Sequence, residues 1–495
     1  MSKLKRLAGD TLLYGLGSML PRVLNFLLVP LHTVNTFSRA EYGVITNLFA
    51  IVAFVNVVYL FGMETAFFRF ATGEGADKKR VFNLAQTVVL SISISLSILF
   101  IIFSKNIAAT LGTDVKPDFI IWLTLIMLID AATAIPFAKL RLERKALLFA
   151  SAKVVNVVLL LGLNYYFLKI DFNPSVGIGY VFLANLIANS FFILFFIKTL
   201  LSWRPAFEKE ISAQMFQYAY PIMLTGVAGM TNEMFSRLTL EWWLPKGFYP
   251  GQTTKEALGV FGACYKFAVF MNLGVQAFRY AAEPFFFSNA AQKESPQLFS
   301  KINHYFVITC CLFLLAISIN LDLLKHFIGK KFWEGLYIVP SLLLAYLFLG
   351  VYYNLSVWFK LTDKTYFGTI ITVGGAVLTI VLNYLLIPVA GYYGSSVAAA
   401  LVYGAMMMAC YFFGQKFYPI PYQVIGGISY IAITYLLAAG VNSISFSNQV
   451  AATAFHLLVI GMYCGCIFLL ERKELAPSPR SRSSNTPHPG DRGRG

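Results

Sequence analysis

Fourteen apolar segments decide what this chain can fold into. They cover residues 11 to 35, 43 to 68, 81 to 104, 119 to 138, 148 to 168, 176 to 197, 216 to 244, 259 to 287, 304 to 324, 336 to 359, 366 to 388, 393 to 415, 422 to 440 and 450 to 470. Each is close to the ~20 residues a helix needs to cross a bilayer, where every backbone polar group must be satisfied within the segment. The joining turns are at most about 20 residues long, so no separate soluble domain fits between them. With 58% hydrophobic and 13% charged residues and a mean hydropathy of +0.68, the chain has too little polar surface to coat a soluble protein of 495 residues. The expected fold is an all-α polytopic membrane protein with about 14 transmembrane helices.

The net charge of +16 would point to nucleic acid in a soluble chain, but here the charges sit in alternate loops, so nucleic acid is not an expected partner. The N-terminus, the even-numbered loops and the C-terminal tail hold twenty-four Lys and Arg, against nine in the odd-numbered loops. Basic residues collect on the cytoplasmic side, so both termini of this multi-pass protein are expected inside. The first segment is too long for a signal peptide and lacks a small-residue cleavage site, so it reads as a retained helix. All six cysteines fall in apolar runs without ligand spacing, which predicts core packing and no metal site. Residues 475–495, rich in Pro, Ser, Arg and Gly, read as a disordered tail.

The chain also repeats itself. At a shift of 216, Gly259, Val260, Phe270, Asn272, Ala282 and Phe286 fall on Gly43, Val44, Phe54, Asn56, Ala66 and Phe70, and at 215 Arg237 falls on Arg22. At 219, Lys364, Leu382, Asn383 and Tyr384 fall on Lys145, Leu163, Asn164 and Tyr165. Segments one to six and seven to twelve both begin inside, so the copies share one topology, as in transporters whose halves face each other across a central cavity. The expected division is a six-helix lobe over 1–203, a second over 204–418, two additional helices over 419–474, and the tail.

Ionised groups inside spans are tolerated only when they face a bundle interior or an aqueous cavity. Arg22, Glu64, Asp130, Glu233, Arg237, Lys266, Arg279 and Glu283 would together cost about 20 to 28 kcal/mol facing lipid, so all are expected to point inward. Asn272, Gln276, Arg279 and Glu283 fall within about 60° of one another on segment eight, as do Tyr14, Ser18, Arg22, Asn25 and His32 within about 80° on segment one. Glu233, Arg237 and Glu241, spaced i, i+4, i+8, allow an arginine neutralised by flanking carboxylates. Arg69 and Lys153 lie near span ends and are expected to snorkel. A purely structural role, as ion pairs holding helices together, remains the competing reading for Glu233 with Arg237 and Arg279 with Glu283.

The opening YGLGSMLPRVLNFLLVPLHTVNTFSRAEYGVI, the following LFGMETAFFRF and the later LNYLLIPVAGYYGSSVAAAL resemble bacterial polysaccharide repeat-unit flippases of the multidrug/oligosaccharidyl-lipid/polysaccharide exporter superfamily. The likeness extends over nearly the whole chain, and its motifs, Glu41-Tyr42-Gly43, the Asn383 to Pro388 run and the Gly391, Gly394, Ala398 to Ala400 pattern, are characteristic together. The resemblance implies a non-enzymatic flippase that moves an undecaprenyl-diphosphate-linked oligosaccharide from the inner to the outer leaflet for surface polysaccharide, with membrane lipids and a polysaccharide polymerase as partners. For such a cargo Arg22, Arg237, Lys266 and Arg279 would bind the diphosphate and Asn25, Asn272 and Gln276 the sugar. Glu64 and Asp130 are the candidates for Na+ or H+ coupling, and Glu233 and Glu283 for charge pairing; no other cofactor is expected. An ion-coupled multidrug or organic-cation antiporter of the same superfamily would instead centre on Asp130 or Glu64. An integral-membrane glycan polymerase or glycosyltransferase would want an extended external loop or a metal-binding acidic pair, and neither is present. No GxxxxGK[ST] phosphate loop exists, so an ATP-driven pump is excluded.

Overall fold

The computed structural model describes residues 17, 19–290, 294–444, 446 and 448–475, and all regular structure among these is helical. In chain order the helices are α1 (19–26 and Leu28–Thr33), α2 (Arg39–Ala71), α3 (Lys78–Ile102), α4 (Pro117–Leu142), α5 (Ala146–Ile170), α6 (Gly179–Phe195), α7 (Lys209–Trp243), α8 (Thr254–Asn289), α9 (Ser295–Ile319) and α10 (Lys330–Leu361). The 52-residue run Tyr366–Phe417 supplies α11 and α12, and α13 (Val424–Asn442) and α14 (Gln449–Leu475) complete the chain. Ten of these runs are long and apolar enough to cross a membrane. Rows such as Ile94, Ile98 and Ile102 on α3 stay exposed, as a lipid-facing stripe at i, i+4, i+8 must. The expected tail beyond residue 475 lies outside the described residues.

The expected spans 366 to 388 and 393 to 415 are two helices that meet in a kink at Gly391 with no loop between them. Its φ of 57° and ψ of −138° are open to glycine, and the Tyr249 hydroxyl accepts from the freed Tyr392 amide at 3.2 Å. The second segment likewise breaks at Phe61 and Gly62, both left-handed.

The packing forms two bundles, α3 to α6 around α4 and α9 to α12 around α10, joined where α2 lies along α7 and α8. The repeat is visible in how α2 and α8 begin. Ser38 accepts from the Glu41 amide at 3.2 Å while Glu41 accepts from the Ser38 amide at 2.7 Å; Thr253 and Glu256 form the same reciprocal cap at the same distances. Gly43 and Gly259 then bring the two backbones into contact. A Cβ on Gly43 would strike the Lys255 carbonyl, and one on Gly259 the Arg39 carbonyl, the reciprocal contact of a pseudo-two-fold axis. The asparagines paired by the 219 shift also behave alike: Asn164 and Asn383, both buried, donate to the carbonyl four residues back at 2.9 and 2.8 Å.

The additional helices pack on α9. Their anchor is Glu471 of α14, which meets His304 of α9 at 2.9 Å and accepts from the Tyr430 hydroxyl of α13 at 2.7 Å. Cys264, Cys310, Cys311 and Cys410 are buried as expected, but Cys464 and Cys466 are exposed on α14, so core packing does not hold for that pair.

Candidate functional site

Between the bundles lies a cavity of about 320 Å³ walled by α1, α2, α5, α6, α7 and α8. Arg237 and Lys266 enter from α7 and α8, and Asn25, His32, Asn164 and Asn185 from the N-terminal half. Among the described residues no carboxylate lines it. The two cations lie within electrostatic reach of each other, and among the described residues neither forms an ion pair.

The expected neutralisation of Arg237 by Glu233 and Glu241 does not occur. Its guanidinium instead stacks 4.0 Å from the centre of the Tyr265 ring and donates to the Met234 sulfur. Glu241 accepts from Asn47 at 3.2 Å, and Glu233 makes no ion pair among the described residues although its charge reaches Tyr265, Tyr346 and Tyr403. Tyr265 is itself held by the Tyr346 hydroxyl, and Tyr403 donates to the Asn232 carbonyl at 3.3 Å. The Tyr265 face holds the guanidinium in place, and among the described residues no carboxylate pairs with it and only Met234 takes one of its N–H donors.

Of the other expected binding residues, Arg22 is exposed and does not line the cavity. Asn272, Gln276 and Arg279 lie farther along α8. Gln276 donates to Asn272 at 3.4 Å, and Arg279 stacks over Tyr353 at 4.7 Å with its Nε buried and unpartnered. A shared face fixes the angle but not the height: at 1.5 Å per residue Arg279 is about 20 Å along the axis from Lys266. Glu283 pairs with Lys360 at 2.6 Å rather than with Arg279.

In the N-terminal half Glu64 pairs with Arg141 and has no position in the cavity. Asp130 also lies outside the cavity, accepting from Asn189 at 3.0 Å, while Asn189 in turn accepts from Asn156 at 3.0 Å. Lys153 does not snorkel. Its ammonium sits 4.1 Å over the Phe137 ring, 4.7 Å from that of Phe192, and within electrostatic reach of Asp130. Arg69 is exposed, over Tyr218 at 4.8 Å.

One end of the interface between the halves is tied shut. Arg39 pairs with Glu334 at 2.9 Å and Lys255 with Asp114 at 2.7 Å. Arg39 and Lys255 are repeat partners at the 216 shift, and each crosses to an acidic residue near the start of the fourth helix of the opposite half, Glu334 in the first turns of α10 and Asp114 just before α4. Lys331 donates to the Phe37 carbonyl and the Gly329 amide to Thr33 at 3.3 Å. The sequence did not point to these residues because they lie outside the apolar segments, at helix starts and in turns, although the 216 shift already set Lys255 over Arg39. His32, Asn164 and Asn185 were not proposed as site residues either; a polar residue recurring on helices that line a cavity is visible only once the helices are placed.

Residues 37–277, just under half of the chain, match a family model described as a polysaccharide biosynthesis protein. Comparison with curated protein sequences finds no match. Among solved structures, the lipid II flippase MurJ in an inward closed conformation aligns with a TM-score of 0.72 at 14% identity, over 94% of this chain and all of that one. An inward-facing multidrug resistance transporter of the MATE family in the MOP superfamily aligns at 0.58 and 13% identity over 90% of this chain and all of that one. A Vibrio cholerae MATE transporter aligns at 0.58 and 16% over 83% and 96%. The fold is therefore the one shared by MurJ and the MATE transporters, in agreement with the resemblance carried by the opening and by the Asn383 to Pro388 run.

Proposed function

We propose that this protein is a flippase that carries a polyprenyl-diphosphate-linked oligosaccharide across the bacterial cytoplasmic membrane by alternating access. The observation that carries the reading is the pair Arg237 and Lys266, two cations facing one cavity in which no carboxylate stands among the described residues. Each cation costs roughly 2.5 to 3.5 kcal/mol at bilayer depth, and a diphosphate offsets that cost through charge-assisted hydrogen bonds. The match of residues 37–277 to a polysaccharide biosynthesis family supports a glycan cargo.

The Lys and Arg distribution puts the Arg39/Lys255 end outside. The structure then corresponds to a state closed outward, whose cavity receives the head group from the cytoplasmic side past Arg279, Gln276 and Asn272 while the acyl tail stays in lipid. Breaking the Arg39–Glu334 and Lys255–Asp114 pairs opens the other side. Ion coupling by Na+ or H+ falls to Asp130, since Glu64 is committed to Arg141.

A cation antiporter is the second reading, favoured by the Asp130, Asn189 and Asn156 chain in the N-terminal half. The cavity itself argues against it, because an organic cation would face Arg237 and Lys266 with no carboxylate to receive it. The test is complementation of a deletion strain with Arg237→Ala and Lys266→Met. Surface polysaccharide lost, with the protein still in the membrane, supports the reading; full export by both variants rejects it.

A further inference from the structure

The cavity walls differ in chemistry. Both cations come from the C-terminal half, whereas the polar groups of the opposite wall, Asn25, His32, Tyr42, Thr46, Asn164 and Asn185, include no carboxylate, lysine or arginine. Three of the six are already engaged through their side chains. Asn164 donates to the Leu160 carbonyl at 2.9 Å and its oxygen meets His32 at 3.0 Å, while Thr46 donates to the Tyr42 carbonyl at 2.8 Å. Asn25 of α1 and Asn185 of α6 make no hydrogen bond among the described residues, so two complete carboxamides face the cavity opposite the cations. Each offers two donors and an acceptor, and with Asn25 exposed and Asn185 half-buried both are open to an incoming ligand.

We propose that Asn25 and Asn185 form a sugar subsite that binds hydroxyl or acetamido groups of the monosaccharide next to the diphosphate, while Arg237 and Lys266 hold the diphosphate itself. This rests on the flippase reading and divides its cargo between the two halves. The carboxamides then supply selectivity for a glycosylated lipid over the bare carrier, which the cations cannot distinguish. Each half holds one end of the head group, so rocking of the halves acts on both ends of a bound cargo.

The test uses the full chain in lipid nanodiscs with two probes, undecaprenyl diphosphate and the lipid-linked oligosaccharide extracted from the host's deletion strain. The wild type is expected to bind the sugar-bearing lipid about tenfold more tightly, the scale of one or two neutral hydrogen bonds. The double variant Asn25→Leu, Asn185→Leu is expected to bind both probes equally while keeping its affinity for undecaprenyl diphosphate, which also shows that it is folded. A double variant that keeps the wild-type preference, or loses both probes together, overturns the subsite. An Arg237→Ala, Lys266→Met variant with undiminished affinity for undecaprenyl diphosphate overturns the diphosphate reading instead, whatever the asparagines do.

Discussion

At the scale of single residues, the central fact is that Arg237 is held by an aromatic ring and not by an acid. Stacking on Tyr265 fixes the guanidinium plane without spending its charge. Arg237→Lys is therefore not conservative: the ammonium keeps the charge but loses both the stacking and the forked donors. It should cut export in a complementation assay by tenfold or more, on the order of 1.4 kcal/mol, while membrane abundance is unchanged. Tyr265→Leu should give a smaller loss with the same signature. Asp130→Asn should leave binding of a lipid-linked cargo intact and remove the dependence of transport on an imposed Na+ or H+ gradient, read in proteoliposomes. Glu64→Gln, which removes the carboxylate paired with Arg141, should leave that dependence in place.

At the scale of helices, α2 and α8 carry the join between the halves, and their contact depends on glycine. Gly43→Ala or Gly259→Ala drives a methyl into a backbone carbonyl, and overpacking of this kind costs about 1 to 3 kcal/mol. Thermal unfolding in detergent should show both variants destabilised. Gly274→Ala, on the same α8 with nothing within 4 Å of the added atom, should be neutral or stabilising. The helices and their repeat were legible because apolar length and the Gly43/Gly259 correspondence are written locally in the chain. The break at Gly391 fell in the gap between the spans 366 to 388 and 393 to 415, although Tyr249, which packs over it, was not legible; the break at Phe61 was not, since it is set by what packs against the bend. Of the expected binding residues, Asn25, Arg237 and Lys266 meet in the cavity, while Arg22, Asn272, Gln276 and Arg279 do not line it. Angular periodicity shows which residues share a face, but rise along the helix and the partner brought by another helix decide which meet. The same limit explains Glu233 and Glu283: i, i+4 spacing permits a pair with Arg237 or Arg279, but Lys360 from α10 lies closer to Glu283.

For the whole molecule, two repeat-related ion pairs, Arg39–Glu334 and Lys255–Asp114, close the halves against each other at one end. Exposed pairs contribute roughly 0 to 1 kcal/mol each, which suits contacts that must break once per cycle. Replacing Arg39 and Lys255 together by alanine should raise outer-side labelling of a cysteine introduced at cavity residue Thr46, in a background free of the native cysteines, several-fold over the parent. Unchanged labelling would mean that the remaining contacts, Gly43 against Gly259 and the Lys331–Phe37 and Gly329–Thr33 hydrogen bonds, keep that end closed. The most direct test of the account is leaflet-resolved measurement of undecaprenyl-linked oligosaccharide in the protein's own host after deletion of its gene. The account predicts that these units accumulate on the cytoplasmic side and surface polysaccharide is lost, that wild type restores both, and that the Arg237→Ala, Lys266→Met variant restores neither. A normal leaflet distribution and normal surface glycan, with new sensitivity to cationic dyes, would contradict it and move the site of function to Asp130.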